Sequence, residues 1–296
     1  MNVICWNCRG VGSKFFHSLI RDLRKEYSAN FIILLEPQIS GSRGVRIRNN
    51  IGFDSSFIVE ANGRSGGIWC LWDSGTWKID VLDHNSQMVH LKVVGGDSTP
   101  WLLSAVYGSR HRVNRRILWS NLRSLAGNIT IPWCFLGDFN AMLHNYERRG
   151  GSTNVVHSAC SDFQSCISDC GLIDLGFVGW PFTWRRGNIV ERLDRGLSNL
   201  EWQLSFPEGT VRHLSNFNSD HSLICLQPHT TSFQNRNRRP FRFVAAWLAH
   251  PDFSNLVSNS WDVSSSWNSG VISFKNFLKD WNTNIFGDIF KRKEHS

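Results

Sequence analysis

The chain has 296 residues, enough for one large domain or for one domain with an appendage. Hydrophobic residues make up 41%, which excludes wholesale disorder and allows a sizeable core. Lysine and arginine outnumber aspartate and glutamate by 32 to 24, and the net charge of +8 leans toward an anionic partner such as nucleic acid.

Val3 to Trp6 reads as a short apolar strand that ends at polar Asn7. Phe15 to Tyr27 places Phe16, Leu19, Ile20 and Leu23 at helical spacing among charged residues. The unbroken apolar run Phe31 to Leu35 fits a strand covered on both faces, and it stops at Glu36-Pro37. Gly41 to Asn50 reads as a basic loop. Gly66 to Trp72, Trp77 to Val81, Met88 to Val94 and Trp101 to Tyr107 are strand-like, with turn residues such as Asp73-Ser74-Gly75 and Gly95-Gly96-Asp97 between them. Arg112 to Leu125 is a basic amphipathic helix, and Trp133 to Leu136 a buried strand that runs into Gly137-Asp138.

Val155 to Cys170 reads as a helix closed by Gly171. Leu172 to Leu175, Phe182 to Trp184, Glu191 to Leu197, Thr210 to Leu214 and Leu223 to Leu226 read as short strands, with Arg185 to Val190 a loop. Ser219-Asp220-His221-Ser222 is placed at the end of the last strand. Many strands with a few interspersed helices suggest two packed sheets covered by helices. After Pro228 the composition changes. Residues 230–240 read as a polar linker, and Phe241 to Phe290 as an aromatic-rich helical segment too short to bury much core alone. The terminal Lys291 to Ser296 carries no helix stop signal, an expectation of truncation. No window approaches the ~20 apolar residues of a membrane span. Met1 runs into Asn2-Val3-Ile4 without leader-like features, so a soluble intracellular protein is expected. Eight cysteines are scattered; Cys5 and Cys8 have CxxC spacing without a second pair, and buried free thiols are expected.

Candidate chemistry lies where apolar runs turn polar. Glu36 follows a buried strand, where a carboxylate is placed to hold a hard cation or simply to face solvent in a loop. Asp138 and Asn140 are two residues apart, so in extended chain they lean to one side while Phe139 points into the core. They suit the orientation of water and of a phosphate oxygen, or else an Asx turn. Asp220 and His221 are adjacent and are expected to do separate jobs; His221 then needs another carboxylate, for which Asp194 is the candidate. A capping or core histidine is the alternative. Asn7 and Tyr107 complete the set, or serve as structural hydrogen bonders. Convergence of these residues on strand ends is what active sites on sheets produce.

Trp6-Asn7-Cys8-Arg9-Gly10, Leu35-Glu36-Pro37, Val106-Tyr107-Gly108, Gly137-Asp138-Phe139-Asn140, Arg192-Leu193-Asp194 and Ser219-Asp220-His221-Ser222 stand in the order of the endonuclease/exonuclease/phosphatase superfamily, which the chain resembles. Finer features resemble the endonuclease of plant non-LTR (LINE-type) retrotransposons. These are Trp6 to Gly12, Glu147 to Gly151, Phe182 to Gly187 with Glu191 to Arg195, Arg239 to Phe243 with Ala245 to Leu248, and Phe286 to Ile289. A reverse transcriptase follows in those polyproteins; no Tyr/Phe-x-Asp-Asp signature is found in this sequence.

The resemblance implies an α/β, four-layer sandwich of two mixed β-sheets flanked by helices (DNase I-like), with a short helical C-terminal appendage. It implies a catalytic domain at residues 1–229, a linker at 230–240, and at 241–296 the segment that precedes the polymerase. Glu36 with Asn7 would hold Mg2+, or Mn2+ in its place, and the scissile phosphate. Asp138 would activate water beside Asn140. His221, oriented by Asp194, would hydrogen-bond the phosphate that Tyr107 also contacts, and Asp220 would help the metal or the leaving group. The implied activity is Mg2+-dependent nicking of DNA with a 3′-hydroxyl product by a nuclear monomer. A phosphomonoesterase acting on inositol phosphates or lipids, and an inactive nucleic-acid-binding remnant, are the competing functions. Two departures stand out: Arg9 replaces an acid usual in abasic-site nucleases of the family, and Gln38 stands where a Lys or His is common.

Overall fold

The computed structural model describes residues 2–63, 65–95, 99–127, 129–151, 157–229, 247, 250–260 and 267–281. The chain divides into two compact units, Met1–Thr231 and Ser232–Ser296.

The first unit is built on two six-stranded sheets. One contains β1 (Asn2–Asn7), β2 (Ala29–Leu35), β3 (Ser55–Val59), β4 (Ile68–Trp72), β14 (Thr210–His213) and β15 (Ile224–Gln227), in the order β14-β15-β1-β2-β4-β3. The other contains β5 (Trp77–Asn85), β6 (Met88–Gly95), β7 (Trp101–Tyr107), β8 (Trp133–Asp138), β10 (Ile173–Asp174) and β13 (Asp194–Ser198), in the order β10-β13-β8-β7-β6-β5. A small third sheet joins β9 (Arg148–Arg149), β11 (Trp184–Arg186) and β12 (Ile189–Glu191).

Each large sheet has one parallel pair at its centre, β1 with β2 and β7 with β8, and antiparallel neighbours elsewhere. A parallel pair needs a crossover, and a helix supplies it both times: α1 (Phe16–Glu26) between β1 and β2, α3 (Arg112–Ala126) between β7 and β8. The four C-terminal ends of these strands are Asn7, Leu35, Tyr107 and Asp138.

Alternation along the strands assigns the layers. Val3, Cys5, Phe31, Ile33 and Leu35 face Val89, Leu91, Leu103, Ala105, Cys134 and Leu136 of the opposite sheet. The alternate residues Ile4, Trp6, Ile32 and Leu34 meet Phe16, Ile20 and Leu23 of α1. On the far side Leu102, Val106, Trp133 and Phe135 meet Leu118, Trp119 and Leu122 of α3 and Phe163 and Cys166 of α4 (His157–Asp169). The result is helix, sheet, sheet, helix: the DNase I-like four-layer sandwich the sequence leads one to expect. Strands buried on both faces read as continuous apolar runs, which is why β2 and β8 are visible in the sequence.

Several expectations are corrected. Gly41–Ile51 is a helix, α2, not a loop; Ser40 precedes it in extended conformation and Gly52 closes it with φ 86°. Arg185 to Val190 is not a loop but most of the β11–β12 hairpin, with Trp184 paired to Glu191. The strand read as Glu191 to Leu197 is two strands, β12 and β13, interrupted at Arg192-Leu193. The strand placed at Phe182 to Trp184 begins at Trp184. A short helix, α5 (Leu200–Ser205), capped by the Asn199 side chain accepting from Trp202 N–H, also escaped the sequence reading. Ser219 to Ser222 precedes the last strand rather than ending it. Because β15 runs antiparallel to β1, with Cys5 opposite Ile224, the start of β15 still lies at the edge where β1 ends.

In the second unit, α6 (Phe253–Ser260) and α7 (Trp267–Trp281) pack Phe253, Leu256, Leu278 and Trp281 with Trp247 into one apolar cluster. The linker expected at 230–240 and the motif at 286–289 lie outside the described residues. Seven of the cysteines are buried and Cys170 is half-buried, all eight as free thiols.

Gly137 is the tightest point beneath the site. Its φ is 158°, and a Cβ added there would sit 2.0 Å from the Val106 carbonyl oxygen of β7. Gly137→Ala is therefore expected to destabilise the protein by about 3 kcal/mol, read as a fall in the urea or thermal midpoint. An unchanged midpoint would show that β7 and β8 do not approach this closely.

Candidate active site

The polar ends of the central strands gather at one edge of the sandwich. Asp138 ends β8 and is fully buried. Its Oδ2 accepts from Asn7 Nδ2 and from Asn140 Nδ2, both at 2.9 Å, and its Oδ1 accepts from the Asn140 backbone N–H at 2.8 Å. Asn7 belongs to the other sheet, so this carboxylate ties the two sheets together. Asn140 does not continue the extended chain: its φ is 46°, and it folds back in an Asx turn while also donating to the Gly108 carbonyl at 2.8 Å. The Asx turn and the shared side of Asp138 and Asn140 are thus one arrangement, with Phe139 fully buried on the opposite side.

His221 lies against the same carboxylate, with Nε2 3.8 Å from Asp138 Oδ2, while Nδ1 is 2.9 Å from Asp194 Oδ2. Asp194 stands directly opposite Asp138 in the β13–β8 register, which explains why residues so distant in sequence share one imidazole. Both Asp194 and His221 are 2% exposed. The Asp194 backbone N–H donates to Thr183 Oγ1 at 2.9 Å, and the His221 carbonyl accepts from Trp6 Nε1 at 3.2 Å, so both backbones are pinned. Their ligand-capable atoms and that of Asp138 lie within 4.8 Å of one another, close enough for the trio to hold a metal ion. The 2.9 Å contact between Nδ1 and Asp194 instead spends that ring nitrogen on orienting the imidazole.

The electrostatics follow from burial and proximity. Desolvation, partly opposed by the His221 charge, pushes the Asp138 carboxyl up to about 7. Desolvation alone would push His221 down. The charges of Asp194 and Asp138, with the Nδ1 hydrogen bond, outweigh it and raise the imidazole to about 9.

A second group stands beside the first. Glu36, immediately after β2, is 2% exposed and has φ 51°. Tyr107 Oη donates to its Oε1 at 2.6 Å, Gln38 Nε2 to its Oε2 at 3.1 Å, and Arg110 Nη2 to both oxygens at 2.8 and 2.9 Å. Burial pushes Glu36 up, yet the hydrogen bonds from Tyr107 and Arg110 and the charges of Arg110 and Arg9 hold it below the usual carboxylate range. Asp220, adjacent to His221 in the chain, adds a further charge that raises the imidazole. Its Oδ2 accepts from Trp184 Nε1 at 3.0 Å and pairs with Arg9 Nη1 at 3.3 Å, while its Oδ1 is buried with no hydrogen-bond partner. Glu36, Asp220 and the Asn7 amide oxygen are the hard donors that suit a divalent cation, and the orphaned Asp220 oxygen is one that such an ion would satisfy.

All eight expected site residues therefore lie at one edge, in two adjoining groups. Asn7, Asp138, Asn140, Asp194 and His221 form the first; Glu36, Tyr107 and Asp220 belong to the second. Arg110 was missed, although its place three residues beyond Tyr107 in a basic loop was a signal. Thr183 and the buried Arg192, Arg195, Glu147 and Asp174 network were missed as well. In that network Arg195, fully buried, reaches Glu147 Oε2 at 2.7 Å and Asp174 Oδ2 at 2.8 Å, so the residue next to Asp194 is anchored by two carboxylates.

A two-sheet sandwich with carboxylates and a buried imidazole at one edge is a nuclease/phosphatase fold. Residues 4–225 match the Endonuclease/Exonuclease/phosphatase family, and the chain belongs to it. Among solved structures it is similar to the AP endonuclease LMAP from Leishmania major (TM-score 0.59, 14% identity, covering 76% of this chain and 86% of that one). It is also similar to the endonuclease domain of TRAS1, a telomere-specific non-LTR retrotransposon (TM-score 0.55, 14% identity, covering 76% and 96%). A third likeness is to the 3′ phosphatase NExo from Neisseria bound to a product DNA hairpin (TM-score 0.58, 14% identity, covering 77% and 98%). No curated protein matches the chain by sequence. No helix among the described residues is long and apolar enough to cross a membrane.

The source of the His221 shift can be checked without turnover. In Asp194→Asn the imidazole loses the largest of the charges that raise it, so its titration by NMR is expected to fall from about 9 toward or below its ordinary value. Titration unchanged from wild type would exclude Asp194 as the cause.

Proposed function

We propose that this protein is a Mg2+-dependent endonuclease that nicks DNA, leaves a 3′-hydroxyl, and derives from a LINE-type retrotransposon. The observation that carries the reading is the buried constellation in which Asp138 accepts from Asn7 and Asn140 while His221 stands between Asp138 and Asp194. The net charge of +8 and the likeness to a retrotransposon endonuclease domain support a DNA substrate and that origin.

In this mechanism Asp138 takes a proton from the attacking water, which Asn140 and Asn7 help to place through their hydrogen bonds to the same carboxylate. The water oxygen forms a bond to phosphorus and the bond from phosphorus to the 3′-oxygen breaks, with that oxygen taking up a proton from solvent water. His221, charged and held by Asp194, donates from Nε2 to a phosphate oxygen as negative charge gathers there. Tyr107 and Glu36 are locked together at 2.6 Å, which fixes the second group of ligands relative to β7. Glu36 and Asp220, with the Asn7 amide oxygen, would hold Mg2+, whose contribution when bound is Lewis-acid stabilisation of the phosphate charge. The first unit carries this chemistry, and residues 241–296 correspond to the segment that precedes a polymerase in related polyproteins.

Supercoiled plasmid incubated with the protein is expected to be nicked with Mg2+ and left intact with EDTA. His221→Ala should nick about 10² to 10⁴-fold more slowly with its thermal midpoint retained. Equal rates for wild type and His221→Ala would remove His221 from the mechanism. Salt-sensitive DNA retention without nicking under any divalent ion would leave a binding remnant in place of a nuclease.

The rate should also depend on pH with a defined sign. Asp138 must be ionised to accept a proton, so nicking rises as pH passes about 7; His221 must be protonated to donate, so nicking falls as pH passes about 9. A rate profile flat across this range would show that neither ionisation governs the step.

A further inference from the structure

Two arginines outside the residues given roles so far converge on the carboxylates read as cation ligands. Arg110 places Nη2 against both oxygens of Glu36, at 2.8 and 2.9 Å. Arg9 bridges the carboxylates, with Nε 3.7 Å from Glu36 Oε2 and Nη1 3.3 Å from Asp220 Oδ2. With Tyr107 and Gln38 also donating, the two oxygens of Glu36 accept from both sides. A carboxylate has about four lone-pair sites, so Glu36 has none left for a cation unless a donor withdraws. The formal charges of Glu36, Asp220, Arg9 and Arg110 cancel.

The arrangement is held in place by the backbone. Arg9, Glu36 and Gln38 have φ of 51°, 51° and 57°, a region that costs a side-chain-bearing residue free energy and persists only where neighbours impose it. They do impose it here. The Arg9 N–H donates to Asn7 Oδ1 at 3.3 Å, Gly10 N–H to the Glu36 carbonyl at 2.8 Å, and Val11 N–H to the Pro37 carbonyl at 3.1 Å, zipping the loops after β1 and β2 together. The guanidiniums are nevertheless open on their outer faces: the Arg110 side chain is 51% exposed and that of Arg9 32%. Both line a cleft of about 780 Å³ that also takes in Glu36, Tyr107, Asn62 and Gln87.

We propose that Arg9 and Arg110 are phosphate-binding residues held in reserve by Glu36 and Asp220. In the free protein they neutralise those carboxylates. When a divalent cation takes the carboxylates, the two guanidiniums turn to a DNA phosphate in the adjoining cleft. A guanidinium exchanging a carboxylate for a phosphate keeps a charge-assisted, fork-shaped contact, so the exchange gives up little. The consequence is coupling: the cation must displace guanidiniums to bind, DNA provides them with another partner, and each ligand strengthens the other by the same factor. The inference rests on the nuclease reading above and adds to it two residues and a reason for metal and DNA to bind together.

Mn2+ affinity measured by electron paramagnetic resonance tests this without turnover, beside DNA affinity measured by fluorescence anisotropy in EDTA and in Ca2+. Arg9→Gln and Arg110→Gln are each expected to bind Mn2+ about tenfold or more tightly than wild type, because a like charge has left the site. Wild type is expected to bind duplex DNA about tenfold more tightly in Ca2+ than in EDTA, and the double variant to lose most of that gain. Mn2+ affinity unchanged or weakened in both variants, or no Mn2+ binding by any form, would overturn the proposal. Glu36→Gln serves as the control, expected to lose Mn2+ binding. Nicking by wild type with unaltered Mn2+ affinity in the arginine variants would remove the arginine role and leave the nuclease reading standing. Tighter Mn2+ binding by the variants with no nicking by any form would do the reverse.

Discussion

A carboxylate with no solvent exposure sits at the seam of two sheets, and much of the architecture can be understood as what makes that burial tolerable. Asp138 ends a strand enclosed on both faces. Its ionised form needs donors and a nearby positive charge, because an isolated charge in such surroundings is too costly to persist. The donors come from different directions, Asn7 from the opposite sheet and Asn140 from the turn that follows, and the charge is the imidazole of His221, 3.8 Å away just before β15. Asp194 in turn faces the imidazole because β13 lies in register against β8. Two parallel strand pairs, each crossed by a helix, bring four C-terminal ends to one edge. Their antiparallel neighbours bring the starts of β13 and β15 to the same place.

Precision at that edge depends on contacts with no chemistry of their own. Gly108 and Gly137 allow backbones to pass where a Cβ would meet Phe139 or Val106 at 2.3 and 2.0 Å. Arg192 and Arg195 share Glu147 and Asp174 in a buried network. Buried ion pairs add little net stability, but removing one partner strands the rest. Such a network therefore favours a single arrangement over alternatives of similar energy, which suits a strand that begins with Asp194.

The layers and most strand ends were legible in the sequence because buried strands are continuous apolar runs and their polar stops are abrupt, as at Leu35-Glu36 and Leu136-Gly137-Asp138. The elements that escaped had weak periodicity. The α2 segment reads Gly-Ser-Arg-Gly-Val-Arg-Ile-Arg-Asn-Asn-Ile, where glycines and asparagines outnumber apolar residues, and tertiary packing of Ile51 beneath β2 overrides a poor helical propensity. The β11–β12 hairpin was hidden because its strands are only three residues long, and β11 carries two exposed arginines while β12 is half-buried. Asp194 could be suggested for His221 from the need of an imidazole for a partner. The register that sets Asp194 opposite Asp138 is a long-range pairing that no local pattern encodes. Arg110 was missed for a related reason: its nearness to Tyr107 was a hint, but a basic residue there gains meaning only when a folded neighbour, here Glu36, turns out to be buried.

The two halves of the site show how one residue type is made to do different work. Asp138 and Glu36 are both carboxylates after apolar strands, both almost wholly buried, and burial alone would push both up. Their partners separate them. Asp138 receives neutral amides and an imidazole that itself titrates, and its carboxyl stays poised near neutrality. Glu36 receives two guanidiniums that cannot release a proton, and it stays ionised far below that point. Divergent environments for paired carboxylates are a physical basis for assigning proton transfer to one and charge binding to the other. That division is built by the loops after β1 and β7, which carry Arg9 and Arg110. Changes in those two loops would shift the balance between cation and phosphate while leaving the proton-handling group, fixed by strand register, where it is.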